Sequence, residues 1–284
     1  MMQTSTTLQG LWESAGEILA AGGVTTPRRE AIRIWSDLAR TSSAEAILNR
    51  GEPIGADRAQ QFLAAVARRA AGEPLAYVTG STGFRHLEVA SDRRALIPRP
   101  ETEGLVELAL NAVRTGTAAD IGTGSGVIAL ALASEGEFDR ILATDVSPDA
   151  LALARANGER LGINVDWREG DLLAPLAGER VELLVSNPPY LTDGELAALD
   201  PAVAAWEPSL ALASGADGLT ATRRLLDEGR QAVVSGGWLA LEVDCHRAPL
   251  VAALAESFGW REVGIHDDLF GRARYCLARR GDGS

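Results

Sequence analysis

The stretch that decides the fold is Thr117-Ala-Ala-Asp-Ile-Gly-Thr-Gly-Ser-Gly-Val-Ile-Ala-Leu-Ala-Leu132. It starts as a short apolar run that ends at Asp120-Ile121, and glycines follow at alternate positions from 122 to 126. Glycine adopts the backbone angles of a tight turn without steric cost, and the apolar residues from Val127 to Ala133 open a helix. The stretch therefore predicts a strand, a glycine-rich turn and a helix, the unit from which parallel α/β sheets are built.

The ligand of this turn is indicated by an acid and by the glycine spacing. The run Arg140-Ile-Leu-Ala-Thr-Asp145 ends a second predicted strand in a carboxylate, which is placed to bind both hydroxyls of a ribose. The spacing is Gly-x-Gly-x-Gly, whereas the dinucleotide fingerprint needs its third glycine where this chain has Val127. A ligand without a pyrophosphate is therefore favoured. Because a helix N-terminus attracts anions, the carboxylate of S-adenosylmethionine would suit this turn.

A third acid follows the next predicted strand. The helix from Asp149 to Leu161 leads to a strand at Val165–Glu169, and then to Asp171. A carboxylate here can reach an adenine amine. A role as a helix cap or turn residue explains Asp171 equally well.

The second informative stretch is Val181-Glu-Leu-Leu-Val-Ser-Asn-Pro-Pro-Tyr190. Two successive prolines lack the N–H groups that a sheet ladder needs, so the strand must stop there. Pro188 favours an extended Asn187, which holds the carboxamide at the carboxyl edge of the sheet, where open α/β folds bind ligands. Asn-Pro-Pro-Tyr taken alone is also compatible with a stiff turn.

Behind a glycine turn and a ribose-binding acid, the same tetrapeptide predicts a clamp for a planar NH₂ group. Asn187 Oδ1 and the Pro188 carbonyl would accept its two N–H bonds, and Tyr190 would pack on the amide plane. This chemistry does not choose between glutamine, adenine and guanine.

The order of elements predicts two domains. Seven strands are expected, near 117, 141, 165, 182, 238, 262 and 274. The first five alternate with helices and predict a mostly parallel sheet, and the last two must pair as an antiparallel hairpin. Residues 1–79 show helical periodicity with helix starts at Thr26-Pro27 and Ser42, and predict a small helical bundle. Residues 80–98 predict a β-hairpin linker, and 99–284 the α/β domain, whose first helix starts at Thr102 or a neighbour.

The long stretch from Leu191 to Asp217 is weakly patterned. Loops of this length inside compact domains are usually lids or binding elements.

Composition narrows the function classes. The chain has 284 residues, 46% of them apolar, and a formal charge of −12. This acidity argues against binding a phosphate backbone by general attraction. With two cysteines, no leader-like start and no long apolar span, we expect a protein of the cytoplasm that is not bound to a membrane. The three histidines and both cysteines lack metal-ligand spacing, so no metal site is expected.

The chain resembles class I S-adenosylmethionine-dependent methyltransferases that act on planar nitrogens. This resemblance is carried, in chain order, by Asp-Ile-Gly-Thr-Gly-Ser-Gly, by the acid after the second strand and by Asn-Pro-Pro-Tyr. The whole chain resembles one of their families, the protein-(glutamine-N5) methyltransferases that modify peptide chain release factors, the HemK/PrmC family. This closer resemblance is carried by the N-terminal helices and by the following segments: Gly72-Glu-Pro-Leu-Ala-Tyr-Val-Thr-Gly80, Leu96-Ile-Pro-Arg-Pro-Glu-Thr-Glu103, Trp206-Glu-Pro and Asp268-Leu-Phe-Gly-Arg272.

The resemblance implies a Rossmann-like methyltransferase domain and a set of site residues. The cofactor S-adenosylmethionine would be held by Gly122, Thr123, Gly124, Ser125, Gly126, Asp145, Asp171, Leu172 and Asn187. The substrate glutamine would be held by Asn187, Pro188, Pro189 and Tyr190, of which Asn187, Pro188 and Tyr190 are the catalytic set. Leu172 stands where some members have tryptophan, so apolar packing must replace stacking on adenine. Asp244 stands where others have glycine.

The resemblance also implies the partner. The expected substrate is the Gly-Gly-Gln loop of class I release factors. The enzyme is expected to be a monomer that makes no direct contact with nucleic acid. A glutamine of a large-subunit ribosomal protein is the nearest alternative, and an RNA or DNA amine is the next.

Overall fold

Residues 7–199 and 205–281 are described by a computed structural model of the chain. Three short parts of the predicted segments lie outside the described residues. They are residues 1–6 of the predicted domain 1–79, residues 200–204 of the predicted loop 191–217, and residues 282–284 of the predicted domain 99–284. The chain divides into two compact units between Thr82 and Gly83.

The first unit is helical, as its periodicity predicts. Thr7 accepts a hydrogen bond from Gly10 N at the start of the first helix, and Ser42 accepts one from Glu45 N at the start of the third. Pro27 opens the second helix, where a missing N–H costs nothing. Trp35 and Phe62 meet edge to face at 5.7 Å in the core. The helices are α1 (Leu8–Ala21), α2 (Pro27–Ala39), α3 (Ser43–Leu48), α4 (Ala56–Ala70) and α5 (Leu75–Thr79).

A short hairpin follows. Strands β1 (Ser81–Phe84) and β2 (Leu87–Ala90) form a two-stranded sheet, joined through Arg85, whose φ of 52° is left-handed. The backbone N–H of Arg85 donates to Glu103 Oε1, and its guanidinium forms ion pairs with Glu107 and Glu135. These bonds hold the unusual turn in place.

The second unit contains a seven-stranded sheet in the order β5-β4-β3-β6-β7-β9-β8. The pairs of β3 with β4 and β6, of β4 with β5, and of β6 with β7 are parallel, and β9 pairs antiparallel with both β7 and β8. The predicted mostly parallel sheet with a C-terminal antiparallel hairpin is confirmed. Its elements are α6 (Pro100–Ala112), β3 (Thr115–Ile121), α7 (Val127–Glu135), β4 (Glu137–Asp145), α8 (Pro148–Leu161), β5 (Asp166–Glu169), β6 (Val181–Ser186), α9 (Asp193–Ala197), α10 (Thr220–Ala232), β7 (Val233–Glu242), α11 (Ala248–Ser257), β8 (Trp260–Asp267) and β9 (Ala273–Arg280).

Helices cover both faces of the sheet, so its central strands are apolar on both sides. Along β6, Leu183 and Val185 pack into the cluster formed with α6 and α7, whereas Leu184 packs into the cluster formed with α10 and α11. Strand side chains alternate between the two faces, and continuous apolar runs are typical of such doubly covered parallel strands.

Strand register brings the motifs together at one edge. Ile121 at the end of β3 lies opposite Thr144 of β4 and Ser186 of β6, and Ser186 lies opposite Leu241 of β7. The glycine turn, Asp145, Asn187 and Glu242 therefore leave neighbouring strands at the same height. The order of strands reverses between β3 and β6, the place where open α/β sheets bind their ligands.

The first residue of α6 differs by two positions from the predicted Thr102. Helix α6 begins at Pro100 with Arg99 as its N-cap, so Thr102 lies inside the first turn and does not start the helix. The stretch 191–217 contains α9 and a 3₁₀ helix at Ser209–Ala211, and Leu191 bridges Ala213. Within the described ranges, the chain has no helix that is long and apolar enough to span a membrane.

Candidate active site

A cavity of about 450 Å³ opens at this edge of the second unit. Seven separate segments of chain contribute to its walls, because the sheet register gathers them where the strand order reverses. The walls include Arg94–Arg99, Thr102, Gly122–Ser125, Asp145–Ser147, Asp171, Leu172, Asn187, Pro189, Pro208, Leu210, Ala211, Ala213–Gly215, Thr220, Ala221 and Arg224.

The glycine turn leaves open space for a ligand. Gly122 and Gly124 have φ angles of 71° and 56°, which only glycine adopts without strain. A Cβ built on Gly122 would meet no atom within 4 Å, and one on Gly124 would approach only Ala95. The backbone here faces an empty part of the cavity, as close contact between a ligand and a main chain requires.

Gly126 has a different role. Its φ is 87°, and a Cβ would lie 2.9 Å from the Trp167 ring and 3.1 Å from Ala154. In the part of the chain that the structure describes, the cavity walls include the four residues before Gly126 but not Gly126 itself. This glycine lets α7 pack against α8, and the assignment of Gly126 to the cofactor remains a prediction.

Asp120 holds the glycine turn from behind. Its Oδ2 accepts hydrogen bonds from Thr123 Oγ1 at 2.5 Å and from Ala129 N at 3.1 Å. Its Oδ1 is buried with no partner among the described residues. Burial raises the pKa of Asp120 to about 7, so this acid is partly protonated at neutral pH.

Asp145 is fixed at the cavity wall by backbone donors. Its Oδ2 accepts from Gly124 N at 2.8 Å and its Oδ1 from Ser147 N at 2.9 Å. Each carboxylate oxygen keeps a second lone pair, so both can still accept from a ligand's hydroxyl groups. Burial raises the pKa of Asp145, and the backbone hydrogen bonds oppose that rise.

Leu172 lies on the same side of the cavity in a strained conformation. Its φ is 46°, and its carbonyl accepts a hydrogen bond of 2.8 Å from the buried Thr144 Oγ1. A branched side chain in the left-handed region costs about 1 kcal/mol or more, and such strain concentrates at functional sites. The preceding Asp171 is exposed and forms an ion pair of 2.6 Å with Arg224, which also lines the cavity.

Asn187 lies on the opposite side, directly after β6. Its Nδ2 donates to Thr102 Oγ1 at 3.1 Å, and the Thr102 hydroxyl donates to Glu242 Oε2 at 2.7 Å. Thr102 and Glu242 are 3% and 2% exposed. Asn187 Oδ1 has no hydrogen-bond donor within residues 7–199 and 205–281, so it is left to accept from a ligand.

The rest of the Asn-Pro-Pro-Tyr segment is less exposed to the cavity. Of the described residues, Asn187 and Pro189 are part of its walls, whereas Pro188 is buried and Tyr190 is half-buried outside them. Burial and the charge of Glu242 raise the pKa of Tyr190 to about 12, so its phenol is neutral at physiological pH. The carbonyl of Tyr190 passes so close to Gly218 that a Cβ there would lie 2.4 Å away.

Two motifs that carried the family resemblance form a further wall. The Arg99 Nη2 atom lies 2.7 Å from both carboxylate oxygens of Glu207, and Arg93 stacks over the Trp206 ring at 4.0 Å. These contacts tie the segment before α6 to the segment around Trp206-Glu-Pro. Residues 94–99 and 208–215 therefore face the same cavity.

These residues fit S-adenosylmethionine. The open backbone at Gly122 and Gly124, with the N-terminus of α7 behind it, suits the amino-acid carboxylate. Asp145 offers free acceptor capacity for ribose hydroxyls, and Leu172 offers an apolar surface for adenine. Among the residues described, no group of three or more His, Cys, Asp or Glu side chains could hold a metal ion.

Sequence reasoning did not identify Thr102, Glu242, Arg99 or Glu207 as members of the site. One signal was available for Glu242, because it is a lone acid at the end of the apolar run Leu239-Ala-Leu-Glu-Val243. No local pattern connects it with Thr102.

Comparison with protein families gives two matches. Residues 11–80 match the model of the PrmC N-terminal domain, and residues 101–204 match the model of the methyltransferase small domain.

The chain is also similar to curated proteins over nearly its full length. The release factor glutamine methyltransferase of Deinococcus radiodurans is 40% identical, over 97% of this chain and 99% of that protein. The release factor glutamine methyltransferase of Moorella thermoacetica is 41% identical, over 92% of this chain and 94% of that protein.

Solved structures show the same fold at low sequence identity. A methyltransferase from Pyrococcus furiosus aligns with a TM-score of 0.54 and 19% identity, covering 80% of this chain and all of that one. The hMettl16 catalytic domain aligns with a TM-score of 0.52 and 18% identity, covering 84% and 86%.

Proposed function

The chain belongs to the release factor glutamine methyltransferase family, and we propose that it methylates the side-chain amide nitrogen of the glutamine in the Gly-Gly-Gln motif of class I release factors. The methyl donor is S-adenosylmethionine. The observation that carries this proposal is the arrangement of one cavity, which has Asp145 and the glycine turn on one side and the free Oδ1 of Asn187 on the other.

The cofactor would be held by Gly122–Ser125, Asp145, Asp171 and Leu172. Bound there, S-adenosylmethionine supplies an electrophilic methyl group on a sulfonium. Gly126 acts indirectly, because it allows the close packing of α7 on α8 that sets the position of the turn.

The protein's main task is to present a weak nucleophile. The lone pair of a primary amide nitrogen is delocalised into its carbonyl. The nitrogen must therefore be held in line with the methyl group that it receives. Asn187 Oδ1 and the Pro188 carbonyl would accept its two N–H groups, and would stabilise the positive charge that develops as the N–C bond forms. The neutral Tyr190 would pack against the amide plane.

No strong base is required. S-adenosylmethionine would supply the methyl group as its carbon–sulfur bond breaks, and the methylated amide nitrogen would lose one proton to water. Positioning and electrostatic stabilisation therefore supply most of the acceleration.

The helical residues 1–79 are proposed to recognise the body of the release factor, with residues 80–98 as linker and 99–284 as the catalytic domain. We also propose that the enzyme acts in the cytoplasm, as a monomer and without direct contact to nucleic acid. The charge of −12 supports a protein substrate over a nucleic acid, because phosphate backbones attract basic surfaces.

The test is methylation with labelled S-adenosylmethionine. A class I release factor, the same factor with its Gly-Gly-Gln glutamine replaced by alanine, a large-subunit ribosomal protein and RNA are each incubated with the enzyme and analysed by mass spectrometry. We expect label on the unmodified release factor alone. Label on the ribosomal protein or RNA, with none on the release factor, would refute the proposal.

A further inference from the structure

We propose that Thr102 and Glu242 are positioning residues that fix the direction of the Asn187 carboxamide, so that its oxygen and not its nitrogen meets the substrate amide. The inference rests on the proposed function. It assigns a role to two buried side chains that come from α6 and β7 and that do not belong to the Asn-Pro-Pro-Tyr segment.

The direction of Asn187 matters because the two ends of a carboxamide are nearly equal in shape and opposite in hydrogen bonding. The oxygen accepts and the NH₂ group donates. The substrate glutamine presents an NH₂ group of its own. A reversed Asn187 would place two donors against each other and would repel the developing positive charge on the substrate nitrogen.

The chain of hydrogen bonds behind Asn187 has a fixed polarity. An ionised Glu242 can only accept, so the single hydroxyl proton of Thr102 goes to Glu242 Oε2 at 2.7 Å. The Thr102 oxygen is then an acceptor for Asn187, which offers Nδ2 at 3.1 Å. Asn187 Oδ1 is left to face the cavity.

The surrounding structure holds this chain in place. Ser186 is paired with Leu241, so Asn187 and Glu242 follow directly in adjacent strands. The Tyr275 hydroxyl donates to the carbonyl of Glu101 at 2.6 Å and so fixes the first turn of α6 beside Thr102. Gly104 is needed for this contact, because a Cβ there would lie 2.3 Å from the Tyr275 oxygen.

The polarity depends on the charge of Glu242. Burial raises the pKa of Glu242 to about 7. A protonated Glu242 can donate to Thr102, which then donates to Asn187 and draws Oδ1 away from the substrate. Glu242 interacts electrostatically with five other titratable or charged groups. They are Arg99 and Glu101 at the start of α6, Tyr190 after β6, and Arg274 and Tyr275 on β9.

The first test replaces Thr102. Thr102→Val keeps the shape and removes both hydrogen bonds, so we expect kcat to fall by about 100-fold, the cost of a misplaced reacting group. The affinity for S-adenosylmethionine, measured by calorimetry, should stay unchanged. Thr102→Ser retains the hydroxyl and should restore most of kcat. Thr222→Val is the matched control, since Thr222 is also buried but lies on α10 outside this chain of bonds.

The second test uses the pH profile of kcat, with Glu242→Gln as the variant. The unmodified enzyme should gain rate as the pH rises from about 6 to about 8, because Glu242 ionises in this range. In Glu242→Gln this rise should disappear. It would remain if another acid, such as Asp120, were its cause.

The proposal is overturned if Thr102→Val keeps the kcat of the unmodified enzyme, if Thr102→Ser is as slow as Thr102→Val, or if the rise with pH persists in Glu242→Gln. Should Thr102→Val fail to fold, the pH profile alone decides. Failure of the proposed function looks different, since the unmodified enzyme would then not methylate the release factor at all.

Discussion

The two sides of the cavity are built in different ways. The side assigned to the cofactor is built mainly within residues 120–147, where Asp120, the glycine turn, Asp145 and Ser147 bond to one another through backbone and carboxylate groups. The side assigned to the substrate amide uses Thr102, Asn187 and Glu242, which come from three distant segments. The first can be read as a motif, whereas the second exists only when the sheet has formed.

The largest effect should come from the substrate side. Asn187→Ala removes the acceptor for the substrate N–H, and we expect kcat to fall by about 100- to 1,000-fold, as when one preorganised hydrogen-bonding group is lost. The affinity for S-adenosylmethionine should be nearly normal in calorimetry. A variant with near-normal turnover would contradict the role of Asn187.

The burial of Glu242 should be visible in stability. Its pKa is raised from 4.5 to about 7 on folding, so between these values the folded state holds the proton more tightly than the unfolded state. The free energy of unfolding should therefore fall by about 3 kcal/mol as the pH rises through this window. Outside the window, the ionisation of Glu242 should contribute little further change. Denaturant titrations over this pH range should show a smaller decrease in the free energy of unfolding for Glu242→Gln than for the unmodified protein. An equal fall in both proteins would contradict the raised pKa.

On the cofactor side, Asp145→Ala should weaken binding and spare the chemical step. Loss of charged hydrogen bonds costs about 1.5–3 kcal/mol, which is roughly a 10- to 150-fold rise in the dissociation constant of S-adenosylmethionine. The kcat at saturating cofactor should be largely kept. The exposed Asp149 on α8 provides the control, since Asp149→Ala should bind normally. A lower kcat with unchanged affinity for S-adenosylmethionine would contradict the assignment of Asp145 to the cofactor side of the cavity.

The smallest effect tests the packing role of Gly126. Gly126→Ala combines a left-handed φ with a close contact to Trp167, and should destabilise the protein by about 2 kcal/mol. Gly162→Ala shares a left-handed φ of 68° but meets no atom within 4 Å, so it should cost only about 1 kcal/mol. Thermal unfolding of both variants measures the difference. Equal losses would show that backbone strain alone accounts for Gly126.

The predictions from sequence succeeded where local physics is decisive. Two prolines after Asn187 must end a strand, and glycines at 122 and 124 have the left-handed angles that the turn needs. The strand and helix order of the second unit, the parallel pairing and the C-terminal hairpin are confirmed, and so is the resemblance to the release factor methyltransferases. The assignments of individual site residues and of the two domain boundaries remain predictions.

The sequence missed residues whose roles depend on distant neighbours. Thr102 was expected near the start of a helix, and nothing around it indicates a bond to Asn187 or to Glu242. Arg99 and Glu207 were recognised only as parts of family motifs, and their ion pair needs two segments that are far apart in the chain.

The sequence by itself determined the turn, the strand end and the chemical types at the site, because proline and glycine restrict the backbone wherever they occur and carboxylates and carboxamides carry their chemistry with them. The tertiary structure decided which way Asn187 points. That direction follows from the register of β6 with β7 and from the position of α6, which together set one buried hydroxyl between a carboxamide and a carboxylate. Register is a property of paired strands, so no single stretch of the chain contains it.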